Sequence, residues 1–106
     1  MPDLTFIANV AATLLTSSIA RHRSWQGRRR LASAAARGLA GDPAATAMLG
    51  AAAERPRPDL AVPLADAIRA AAADPRFAAA VRQLIVDAYA EPGMANGLPN
   101  PAPLLR

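Results

Sequence analysis

LTFIANVAATLLTSSIARHR, residues 4–23, is the stretch from which the fold is read, and it carries no charged side chain from Leu4 to Ala20. Thr5, Asn9, Thr13 and Ser17 fall four apart, which on a helix makes one narrow polar stripe. Leu4, Phe6, Ile7, Val10, Leu14, Leu15 and Ile19 occupy the broad remainder. Asp3 sits at an N-cap position, so the spacing predicts a helix from about Leu4 to about His22. A helix apolar over most of its circumference is buried by several neighbours or meets lipid.

The order of charges narrows the choice. A secretory signal places its positive region before the apolar run, whereas here Asp3 precedes it and the arginines follow. Length weakens a permanent membrane span. The uncharged run at 1.5 Å per residue gives about 26 Å against a hydrocarbon core of about 30 Å. Asn9 and five Thr or Ser residues lower its hydrophobicity further. Two compatible readings are left: a central core helix, and an amphipathic helix that can enter lipid.

The rest of the 106 residues sets the class. Alanine fills more than a quarter of the chain and aromatics are few, which favours helix over sheet. All twelve basic residues are arginine; with abundant Ala, Pro and Gly this reads as the coding bias of a high-GC bacterium, so arginine choice alone marks no phosphate site. The absence of cysteine excludes disulfides and thiolate chemistry. Charge is uneven: residues 1–41 hold six arginines against Asp3, a net of +5, and residues 42–106 are close to neutral. The cationic half is also the half with the apolar run, and the asymmetry points to an anionic partner such as a membrane surface or nucleic acid.

Further helices follow from caps and breakers. Ser24 to Leu39 forms a second, with Ser24 as cap and a thin apolar face of Trp25, Leu31, Ala35 and Leu39; if it is continuous, Arg23, Arg30 and Arg37 share a face. Asp42-Pro43 opens a third that runs to about Glu54, with Pro43 at the first helical position where its missing N–H costs nothing. A fourth begins between Asp59 and Pro63 and ends near Ala73, with Leu64, Ile68 and Ala72 on one side. Asp74-Pro75 repeats the capped start, and Phe77, Val81, Leu84, Ile85, Ala88 and Tyr89 make the best amphipathic stripe of the chain. The sum is an all-α, small antiparallel bundle of four to five helices over residues 1–91. Residues 92–106, rich in Pro, Gly and Asn, read as a flexible tail or linker.

No constellation for catalysis emerges, so no enzyme and no cofactor or metal are expected. His22 is the one histidine and reads as a solvated helix-end residue within an arginine cluster. Asp66 and Asp87 lie near Arg69 and Arg82, where surface ion pairs explain them. RHRSWQGRRR, residues 21–30, is the charged motif that remains. Arginine pairs with phosphate and tryptophan favours the membrane interface, so Arg21, Arg23, Trp25, Arg28, Arg29 and Arg30 are candidates for anionic-lipid binding. Specific nucleic-acid binding is not expected: the basic stretch holds one aromatic and the second half is acidic.

DPRFAAAVRQLIVDAYA, residues 74–90, resembles the last helix of many small actinobacterial helical domains, and the layout of the chain is similar to the bacterial Bell domain. Bell domains are linked to the HeLo cell-death domains and often precede an amyloid signalling motif. The resemblance implies a membrane-disrupting domain of regulated cell death in bacterial immunity. It would rest in the cytoplasm, then self-associate and act on the inner membrane when an immune receptor signals through an amyloid fold. MANGLPNPAPLLR, residues 94–106, lacks the Val/Gln/Gly-rich core of such a motif. The membrane-active part of the family maps onto Leu4, Phe6, Ile7, Val10, Leu14, Leu15 and Ile19. The alternative function is a death-fold-like adaptor that recruits an effector by protein–protein contact.

Overall fold

Asp42 and Asp74 act as the sequence predicts. The Asp42 carboxylate accepts the Ala45 N–H at 3.1 Å and the Asp74 carboxylate accepts the Arg76 N–H at 2.9 Å, each with proline at the next position. In the computed structural model, which describes residues 4–105 and the side chains of 4–103, six α-helices follow in order. They are α1 (Leu4–Thr16), α2 (Ala20–Ser24), α3 (Gly27–Gly38), α4 (Pro43–Glu54), α5 (Ala61–Ala71) and α6 (Pro75–Ala90), with 3-10 turns at Pro58–Leu60 and Ala102–Leu105. The fold is an all-α bundle, and no strand occurs among the described residues. The Asp3 cap lies outside them.

Helix α1 is the pillar. It packs most extensively on α5 and also against α3, α4 and α6. Phe6, Ile7, Ala8, Val10, Ala11, Ala12, Leu14 and Leu15 are all buried, while Thr5 and Asn9 of the predicted polar stripe face out. Its neighbours contribute Leu31, Leu64, Ile68, Val81 and Ile85, and the alanines between them let the helices approach closely. The Phe6 and Tyr89 rings stack with centroids 6.3 Å apart. Burying a large aliphatic or aromatic side chain stabilises by about 1.5–3 kcal/mol, so the five large ones on α1 together approach the whole stability of a small domain, about 5–15 kcal/mol. In water α1 cannot leave without unfolding the bundle.

Three expectations need correction. The first helix does not run to His22: it stops at Thr16, the chain is extended at Ile19, and one separate turn follows. Ile19 therefore lies outside α1 and is 40% exposed. The second helix does not begin at Ser24, which closes α2; it begins at Gly27, after an extended Trp25 whose ring packs over the glycine. Residues 92–103 are not a loose tail. They fold back over α2, with Met94 buried at 1% exposure and the Tyr89 hydroxyl donating to the Pro99 carbonyl at 2.6 Å.

Candidate functional site

The junction between α1 and α2 joins the apolar helix to the basic segment. Ending a helix inside a molecule frees backbone groups that need new partners. Here four of them have one. The Leu15 carbonyl accepts from Arg28 Nη2 at 3.1 Å, and the Thr16 carbonyl accepts the Arg57 N–H at 3.0 Å. The Ser17 carbonyl accepts from Arg23 Nη1 at 3.4 Å, and the Ile19 N–H donates to Ser17 Oγ at 3.0 Å. The serine hydroxyl offers the backbone a local alternative to the helix, the competition expected of this residue type.

His22 sits at the centre of this junction, fully buried, and is not the solvated residue its arginine neighbours suggested. Its Nε2 faces two carbonyl oxygens, Met94 at 3.1 Å and Asn96 at 2.9 Å. Carbonyls only accept, so the proton is on Nε2. Nδ1, 2.9 Å from Ser17 Oγ, then receives the serine hydroxyl proton, while the same oxygen accepts from Ile19. A neutral imidazole satisfies every group around it.

The arginines divide. Arg28 points inward: besides Leu15 its Nη2 donates to the Ala52 carbonyl at 3.1 Å, so one guanidinium closes the C-terminal ends of both α1 and α4. Burial, with Arg23 nearby, pushes its pKa below the ordinary arginine value. Its Nε is buried with no hydrogen-bond partner among the described residues. Arg21 donates to the Pro92 carbonyl from Nε at 3.1 Å and Nη2 at 2.6 Å, and pairs with Glu91 at 3.8 Å. Arg23 is half-buried on the junction, and Trp25 packs against the core.

Arg29 and Arg30 are exposed, and Arg37, two turns on along α3, joins them. With Ser33 they form one wall of an open groove of about 610 Å³, whose other wall is Gln83 and Asp87 of α6. Asp87 accepts from Gln83 Nε2 at 3.1 Å. The Arg30–Arg37 spacing was legible in the sequence; the break before α3 removes Arg23 from their face. Arg28, Arg29 and Arg30 also occupy the first turn of α3, which holds no acid. Cations there oppose the helix macrodipole, at about 0.3–1 kcal/mol each. The positive end of α3 with the exposed Arg29 and Arg30 thus forms a cationic feature beside the C-terminal end of α1.

Of the seven residues expected to meet lipid, Phe6, Ile7, Val10, Leu14 and Leu15 are in the core, Leu4 is half-buried against it, and Ile19 stands apart on the junction. No described helix is long and apolar enough to cross a membrane. Among the described residues no group of three His, Asp or Glu side chains converges as a metal site would require. Comparison of the chain with family models, with curated proteins and with solved structures gives no match.

Proposed function

We propose that this chain is a non-enzymatic, Bell-like membrane-acting domain of bacterial regulated cell death. It would be held closed in the cytoplasm and act on the anionic inner membrane after activation. The observation that carries the reading is the exposed Arg29, Arg30 and Arg37 face, which runs along α3 from its first turn to its last and starts beside the end of α1, a helix that is apolar almost all round. Arginine forks pair with phosphate headgroups, and each basic side chain near an anionic leaflet contributes about 1 kcal/mol. Lipid also removes the obstacle that water poses: apolar side chains of α1 that lose the bundle regain cover in acyl chains. Self-association of opened chains would concentrate such helices. An upstream immune receptor, signalling through an amyloid motif that this chain does not contain, would supply the trigger.

The adaptor alternative has less to rest on. Among the described residues the large apolar side chains exposed are Ile19 and Val62, and two side chains fall short of the patch of a few hundred Å² that marks a docking face.

Charge reversal tests the reading. Replacing Phe6 or Leu14 by aspartate would unfold a core, whereas Arg29→Glu, Arg30→Glu and Arg37→Glu change exposed side chains. Wild type should sediment with phosphatidylglycerol vesicles, without releasing an entrapped dye until it is opened, and the triple variant should not sediment while keeping its helical circular dichroism. Equal sedimentation by the two proteins, or none by either, would sink the proposal.

A further inference from the structure

The break between α1 and α2 is imposed from outside the segment. From Leu4 to Gln26 there is no proline and no glycine, and Ser17, Ser18 and Ile19 can all be helical. A continuous helix would bond the Leu15, Thr16 and Ser17 carbonyls to the N–H groups of residues 19, 20 and 21. In the folded chain those carbonyls are held by Arg28, Arg57 and Arg23. The turn of α2 is in turn clamped by the C-terminal segment, through the two carbonyls on His22 and the Pro92 carbonyl on Arg21. Gly97, at φ +83°, lies directly against Ile19: a Cβ there would come within 2.5 Å of its Cδ1. Residues 92–99 therefore cover the one place where the first two helices are parted.

We propose that residues 92–99 are a latch, keyed to the buried His22, that keeps Leu4–Ser24 bent, and that lifting the latch lets these residues straighten into one helix. With the strap gone, His22 loses both acceptors, and the bonds from Arg28, Arg57 and Arg23 to the end of α1 are the restraint that is left. A carbonyl has two lone pairs, so the Ile19 N–H can return to the Leu15 carbonyl alongside Arg28. Helix α1 alone, at 13 residues, is about 20 Å long; the straightened 4–24 segment is about 31 Å. The first is far too short for a hydrocarbon core of about 30 Å; the uncharged part of the second, Leu4–Ala20, spans about 26 Å and leaves only a few Å for the arginine stems that follow it to bridge. Arg21 and Arg23, at the end of the straight helix, are placed to reach headgroups. The use of the straight helix rests on the membrane reading above; the bend and its latch do not.

The test uses the full chain. Gly97→Val puts a β-branched residue at positive φ against Ile19 and should lift the strap. Arg21→Ala, at an exposed side chain, removes both bonds to Pro92 without touching the core and stands in if the valine variant misfolds; because Arg21 is also placed to reach headgroups, this variant is read by shifts and exchange and not by leakage. Backbone ¹³Cα shifts of Ser17, Ser18 and Ile19 are recorded in buffer and in phosphatidylglycerol nanodiscs, with amide exchange at Met94 and Leu98, whose N–H groups donate to the Glu91 and Ala95 carbonyls, as the gauge of the strap. Wild type in buffer should show non-helical shifts at 17–19. The variants should exchange at Met94 and Leu98 at least tenfold faster, and in nanodiscs should move 17–19 to helical values. A lifted strap with 17–19 still non-helical in nanodiscs overturns the latch, as does a strap that stays protected in both variants, or dye leakage without the helical shift. Helical shifts without leakage support the latch and overturn the membrane-disrupting function.

Discussion

The imidazole of His22 lies 2.9 Å from the carbonyl oxygen of Asn96, which joins the end of the first helical unit to the last part of the chain through one buried hydrogen-bond donor. Replacing it strands the Met94 and Asn96 carbonyls and the Ser17 hydroxyl and leaves a cavity. An unsatisfied buried polar group costs about 1–3 kcal/mol, so His22→Ala should lose about 2–4 kcal/mol in urea unfolding. His22→Gln, which keeps an N–H donor, should lose less. Equal losses for the two would show that volume, not the donor, sets the cost.

Arg28 offers a second measurement of the same kind. It serves the Leu15 and Ala52 carbonyls, one at the end of each of two helices, and bonds from a charged donor contribute about 1.5–3 kcal/mol. Arg28→Ala should therefore lose about 1.5–3 kcal/mol, with Arg28→Lys between it and wild type because an ammonium lacks the planar fork. Arg29→Ala, one residue on and exposed, should change stability by no more than about 0.5 kcal/mol. Thermal melts of the three variants compare them directly.

Two glycines should respond to alanine with opposite signs. At Gly38 an added Cβ would lie 2.3 Å from the ring of Phe77, which is itself buried, so Gly38→Ala forces α3 and α6 apart and should cost about 1–3 kcal/mol. At Gly50, inside α4, nothing lies within 4 Å of the added atom. Gly50→Ala should gain about 0.5–1 kcal/mol from reduced freedom of the unfolded chain. Denaturant midpoints at unchanged slope would record both.

Tyr89 gives a pH dependence with a defined sign. Burial raises its phenol above the ordinary value of 10. Folding thus favours the protonated ring: its contribution is intact below pH 10, and it is lost as pH rises from there through the folded value. The chain has no lysine and no cysteine, and arginine stays charged, so this window holds one titrating kind of side chain. Phenolate absorbance in the folded protein should have its midpoint above that in denaturant. Melting temperature should fall above pH 10 in wild type, and Tyr89→Phe should flatten that fall. Coincident midpoints in native and denatured protein would contradict the burial described here.

Helices that start with Asp-Pro and carry a clear apolar stripe were legible in the sequence, because the cap and the stripe are local properties. Phe77, Val81, Ile85 and Ala88 are buried as their spacing predicts. The end of α1 was not legible, because no residue there breaks a helix; it ends because Arg28, Arg57 and Arg23, all remote in sequence or across a turn, take its carbonyls. His22 was misread for the same reason. Its neighbours in sequence are arginines, but its neighbours in space are a serine hydroxyl and two carbonyls of the C-terminal segment. Of the arginine cluster, composition revealed the charge but not its division into inward caps and an outward face.

The central position of α1 has a consequence for how the protein is made. Helix α5, its main neighbour, begins at Ala61, and α6 begins at Pro75. At synthesis rates of about 5–20 residues per second, several seconds separate the emergence of α1 from that of α5. For that interval the nascent chain presents an apolar helix without its main neighbour, close to a ribosome and to whatever membrane or chaperone lies within reach. The first partner this helix meets in the cell is therefore decided by timing before it is decided by affinity.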